Sequence, residues 1–200
     1  HLGTLEVLAQ SGIYTDDPEA LSIFENGGCV VERGRGNVRI PPHVVEAAIE
    51  SAPSLFLAAG RVERNDVVFD AGRVGFTTFG EGIKVVDLES GELRGSTKQD
   101  VALTARLADA LSEIDTYEVA VGAKDAPPES APIHNYEAAL SNTTKHICAG
   151  PLSSRQAKAV LKMAAAVVGG ADRLRERPIV TMGVCPVSPL KLPRDCSEPI

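Results

Sequence analysis

The chain has 200 residues, 44% of them hydrophobic and 24% charged, with a formal net charge of −7 at pH 7. That size and balance fit a domain of ordinary dimensions with a packed core, and the shortage of aromatics (4%, with no Trp) makes the core aliphatic. The acidic excess argues against a nucleic-acid surface, which needs surplus Lys and Arg, and no apolar run approaches the roughly 18 residues that span a bilayer.

The start, HLGTLEVLAQ, lacks a basic region followed by a long apolar one, so it does not read as a signal peptide. Both ends read as cut from something longer. Cys29, Cys148, Cys185 and Cys196 are far apart and form no CxxC, the pattern of free thiols in a cytoplasmic protein.

Leu2 to Gln10 reads as a helix stopped by Gly12. In TDDPEALSIFENGG an Asp cap precedes Pro18, and Gly27-Gly28 is the stop. CVVERGRGNVRI reads as a hairpin turning at Gly34 and Gly36. PPHVVEAAIESAP reads as a short helix with Val45, Ala48 and Ile49 on one side. Short strands follow: SLFLAA, DVVFD, RVGFTTF and IKVVDL, separated by turn signals.

After Gly95 the rhythm changes. Thr97 and Asp100 have capping-box spacing, and Leu103, Leu107, Ala110 and Leu111 form a helical stripe. TYEVAVG reads as a strand, IHNYEAALSNTT as a helix and KHICAG as a strand. SSRQAKAVLKMAAAVVGG reads as a helix with a Ser cap and a Gly-Gly stop, and PIVTMGVCPV as a strand. Alternation of this kind predicts parallel βα units. It fits either a small open α/β sheet or the opening of a longer (β/α)₈ barrel, and the abrupt C-terminus favours the barrel. The division is residues 1–95 as an α+β extension and 96–200 as the first βα units.

Alternation along strands puts Glu118, Ala120 and Gly122 on one face and Tyr117, Val119 and Val121 on the other. His146 and Cys148 oppose Ile147 and Ala149. Thr181, Gly183 and Cys185 oppose Val180, Met182 and Val184. The apolar faces are expected to meet the helices. The small or polar faces are expected to line an interior that opens at the C-terminal strand ends. Lys145 and His146 start their strand, which assigns them to the structural end; Lys145 is expected to pair with a carboxylate or cap a helix C-terminus.

The ordered set DLESGELRGSTKQDVALTARLADALSEID, Asp125-Ala126-Pro127-Pro128, NTTKHI, AVVGGADRLRERPIV and CPVSPL resembles the trimethylamine methyltransferase family. The resemblance runs nearly the whole chain and is densest from Asp87 to Leu190. It implies the N-terminal portion of a (β/α)₈ TIM-type barrel that moves a methyl group from a methylated amine to Co(I). The amine would be trimethylamine or a quaternary amine such as glycine betaine. The cobalamin (corrinoid) would be carried by a partner, a separate corrinoid protein. FGEGIKVVD departs from the Asp and Pro that trimethylamine-type members tend to carry there, which tilts the substrate toward a betaine-like amine. The principal catalytic residue is expected downstream, and the fragment alone is expected to be inactive.

A permanent cation wants carboxylates or aromatic faces. The available carboxylates are Glu118 and Glu81, the latter between Gly80 and Gly82; the available aromatics are Phe76, Phe79 and Tyr117. Candidate substrate-binding residues are therefore Phe79, Gly80, Glu81, Gly82 and Glu118, with Cys148 and Cys185 toward the reaction end. A rival reading takes His146, Cys148 and Cys185 as a thiol-activating zinc site. Another takes the chain as a non-catalytic binding module. An open half-barrel exposes strand edges, so a homo-oligomer or partner contact is expected to cover them.

Overall fold

A computed structural model describes residues 1–200. The chain groups into two compact units, residues 1–53 with 184–200, and residues 54–183.

In the first unit, helix α1 (Leu2–Gln10) ends at Gly12, whose φ of +73° and close approach to the Val38 carbonyl leave no room for a Cβ. Strand β1 (Ile13–Tyr14) leads into α2 (Pro18–Asn26). Asp17 caps that helix, accepting from the Glu19 N–H at 2.9 Å, with Pro18 in the first turn. Strands β2 (Val30–Glu32) and β3 (Asn37–Arg39) form the expected antiparallel hairpin, and β3 also pairs with β1. Of the two turn glycines, Gly36 takes the left-handed conformation. Helix α3 (Pro42–Ser51) leaves Ile49 54% exposed; its Val44 packs on the core of Leu21, Cys29 and Val38 instead. Residues 184–200 join this unit through Tyr14 N–H to Leu190 O and Leu192 N–H to Tyr14 O, both 2.8 Å.

The second unit opens with the hairpin β4 (Phe56–Ala58) and β5 (Val67–Phe69), followed by the hairpin β6 (Lys84–Val86) and β7 (Leu93–Gly95). Helix α4 (Lys98–Ala110) starts with the predicted capping box of Thr97 and Asp100. The Arg94 guanidinium grips Asp100 with two bonds, 2.8 and 2.9 Å, and reaches Asp87 at 3.0 Å. The hairpin is thereby tied to the helix start, and Arg94 holds the Asp100 carboxyl well below the usual range.

Strand β8 (Thr116–Glu118), helix α5 (Ala131–Asn142), strand β9 (His146–Ala149), helices α6 (Ser154–Val168) and α7 (Ala171–Glu176) and strand β10 (Val180–Met182) complete two successive βα crossovers. The strands form one parallel sheet in the order β10-β9-β8. The segment expected as strand RVGFTTF is not a regular strand. Residues 76–82 nonetheless run parallel to β8, with bridges at Thr77–Thr116 and Gly82–Val121. Gly82 N–H donates to Ala120 O and Gly122 N–H to Gly82 O, both 2.9 Å. Residues 54–95, placed by sequence with the extension, pack in the same unit as the βα repeats.

Tyr117, Val119, Val121 and Ile147 are buried under the helices, as alternation predicts. The expected α4 stripe is corrected: Leu103, Leu107 and Leu111 are 49%, 61% and 45% exposed, while Val101, Ala102, Ala105 and Ala108 face inward. Small side chains on that face let α4 lie close to the sheet and to Ala138 and Ala139 of α5, which Leu would prevent. No helix is long and apolar enough to cross a membrane.

Candidate functional site

One face of the parallel sheet is closed by helices. On the other, the register places Glu118 beside Cys148 and Cys148 beside Thr181, a polar row across three strands. Burial first, then the neighbouring Glu118 charge, pushes the Cys148 thiol up from its ordinary value. The row is the predicted polar face, with Glu118 and Cys148 brought together as register partners.

At the C-terminal end of these strands lies a pocket of about 440 Å³, within the size range of small-molecule sites. Glu81 enters it from the end of the segment alongside β8. Its Oε1 accepts from Asn135 Nδ2 at 3.2 Å, and Asn135 Oδ1 accepts from the Ala123 N–H at 2.9 Å. Asn135 is only 2% exposed, so these two bonds fix the orientation of its amide. A Cβ on Gly122 would collide with the Glu81 carboxylate, so glycine there makes room for it. Pro128, Pro132 and Leu152 supply apolar wall, and Lys124 stands on the same lining.

The opposite end of the sheet is structural. The buried Lys145 ammonium donates to Ala108 O and Leu111 O at 2.6 Å and Ile114 O at 2.5 Å, so it closes the C-terminus of α4 and the turn after it rather than that of the helix just before it. Asp109 accepts from Thr143 and Thr144 and faces the same charge. The His146 ring bonds Ala59 O at 3.1 Å and Thr181 Oγ1 at 2.7 Å. Burial pulls its pKa below the usual 6.5, so the ring is held neutral.

Other predicted residues fall elsewhere. Phe79 is 89% exposed and Phe76 64%, while Tyr117 is core, its hydroxyl 2.9 Å from Thr104 Oγ1. Gly80 and Gly82 let the backbone approach β8: a Cβ at Gly80 would strike the Val119 carbonyl oxygen. Cys185 does not extend the third strand, since β10 ends at Met182 and Cys185 belongs to the first unit, where its carbonyl accepts from the Cys196 thiol at 3.1 Å. The rival reading of His146, Cys148 and Cys185 as a zinc set is therefore not supported. His146 has both ring nitrogens engaged, and no three His, Cys, Asp or Glu side chains are grouped to hold a metal ion. Asn135 was missed because a polar residue inside helix α5 carries no signal of its own; the nearest hint was Gly122, unexplained at the end of a strand.

The model for the trimethylamine methyltransferase (MTTB) family matches residues 1–198. The chain belongs to this family. A trimethylamine methyltransferase of Desulfitobacterium hafniense (strain DSM 10664 / DCB-2) is 44% identical over 200 residues, 100% of this chain and 40% of the relative. One from Methanosarcina mazei is 35% identical over 197 residues, covering 96% of this chain and 40% of that protein. A glycine betaine methyltransferase of Desulfitobacterium hafniense (strain Y51) is 26% identical over 196 residues, again 96% and 40%. This member of the trimethylamine methyltransferase family thus spans about 40% of the length of the curated relatives it matches.

Proposed function

We propose that the protein binds a methylated amine, trimethylamine or a quaternary amine such as glycine betaine, and presents one methyl group to the Co(I) cobalamin of a separate corrinoid protein. The observation that carries this reading is the pocket at the C-terminal strand ends, with the Glu81 carboxylate set among apolar walls, in a chain of the trimethylamine methyltransferase family. Strand order supports a larger (β/α)₈ barrel: a parallel segment at residues 76–82, then β8, β9 and β10, each joined to the next through helix.

The residues here do not fit as a holder of cobalamin. The one histidine on the sheet, His146, is closed off by Ala59 and Thr181, and no cluster of ligating side chains is present. When bound, Co(I) supplies the nucleophile, so this chain need supply none. Its own residues bind and orient. Pro128, Pro132 and Leu152 supply apolar surface, and Glu81 a carboxylate, on the lining of the pocket that takes the amine. Glu118 adds a second carboxylate on the sheet face it shares with Cys148.

The test uses the full-length gene product with a Co(I) corrinoid protein and a panel that includes trimethylamine and glycine betaine. The expected result is the methyl-Co(III) spectrum with at least one donor. Silence across the panel, with a corrinoid protein shown competent toward another methyltransferase, overturns the reading.

A further inference from the structure

Glu81, Asn135 and Gly122 come from three separate elements and meet at one point. The Asn135 amide oxygen accepts from the Ala123 backbone and its NH2 donates to Glu81, and the missing Cβ of Gly122 leaves room for the carboxylate. Glu81 has no cationic protein partner, and neither does the Lys124 ammonium an anionic one. Glu81 is solvent-exposed, so its carboxylate, oriented by a buried amide at the edge of a pocket with apolar walls, is open to an incoming cation.

We infer that Glu81 is the charge partner of a subsite for a methylated ammonium head, and that Asn135 is its positioning residue, acting by fixing the carboxylate over Gly122. The inference rests on the methylamine reading above and deepens it by assigning residues to the donor's charge. Methyl groups cannot donate the strong hydrogen bonds of a primary ammonium. The subsite therefore needs one oriented carboxylate beside apolar surface rather than a cage of acceptors, and the exposed Glu81 with Pro128, Pro132 and Leu152 on the same lining provides that. Lys124 lines the same pocket with the opposite sign and opposes a simple cation there.

The experiment measures tetramethylammonium binding to the full-length gene product by calorimetry, alongside methyl transfer. Glu81→Gln should weaken binding roughly 3- to 10-fold, and Lys124→Gln should strengthen it by up to about 3-fold. Gly122→Ala, which displaces the carboxylate, should raise the KM for the amine with kcat retained. Asn135→Ala should weaken binding in the wild-type background and add little to Glu81→Gln, because it acts through that carboxylate. If Asn135→Ala does not fold, Gly122→Ala carries the positioning claim alone. Unchanged affinity in Glu81→Gln, or no tetramethylammonium binding by the wild type, overturns the subsite. Additive losses in the double variant overturn the positioning role. Methyl transfer that survives with unaltered Glu81→Gln binding discards the subsite and leaves the methyltransferase reading intact. Glu81-dependent binding without methyl transfer to any competent corrinoid protein does the reverse.

Discussion

Glu118 and Cys148 are register partners on adjacent parallel strands, and both side chains point away from the helices. The thiol consequently feels a carboxylate as well as burial, and both favour its protonated form. Replacing Glu118 by Gln should lower the thiol pKa and speed alkylation of Cys148 by iodoacetamide at pH 8 roughly 2- to 5-fold. Peptide-resolved mass spectrometry reads that rate directly. An unaltered rate would mean that Glu118 does not act on the thiol.

Lys145 serves three carbonyls at the end of α4 and in the turn after it, one for each N–H of its ammonium. Lys145→Met keeps much of the buried stem but orphans all three acceptors. Urea denaturation of the full-length product should show a loss of about 2–4 kcal/mol. A variant as stable as the wild type would show that water replaces the ammonium at no cost.

His146 gives a pH signature. Its pKa lies below 6.5 when folded because of burial, while the unfolded chain titrates near that ordinary value. As pH falls below about 6.5, the unfolded state gains a proton that the folded state does not, so stability falls. The carboxyls depressed below their ordinary 3.8, Asp17, Asp66, Asp87, Asp100 and Asp109, lose their contribution only as the pH falls below that value, in a separate window. Thermal midpoints from pH 7.5 to 5.5 should decline in the wild type and flatten in His146→Gln. Parallel slopes in the two proteins would rule out His146 as the source.

Helix α4 offers a packing test. Ala105 is 0% exposed against the core, so Ala105→Leu should destabilise by about 1–3 kcal/mol through overpacking. Thr97→Ala removes the cap and should cost about 1 kcal/mol. Chemical denaturation midpoints measure both. A neutral Ala105→Leu would mean that the leucine side of the helix, not the alanine side, meets the sheet.

Locally coded features were legible from sequence. The Asp17–Pro18 start, the Thr97–Asp100 capping box and the Gly169 stop each depend on residues within a turn of one another. Strand alternation correctly sorted Tyr117, Val119 and Val121 from Glu118 because a period of two admits only two faces. Helix α4 was harder. Its leucines and its alanines both make an apolar stripe, and periodicity cannot say which stripe a neighbour will accept.

The sequence by itself determined the family, the βα rhythm and several helix starts and stops. These are properties of short windows and of residue order. Only the tertiary structure decided that residues 76–82 lie along β8, that Asn135 reaches back across 54 residues of chain to orient Glu81, and that Gly122 leaves room for it. It also placed Cys185 outside the strand that alternation had extended to reach it. Such relationships join side chains distant in sequence. They are set by how closely small residues let elements pack, a quantity that no single segment carries.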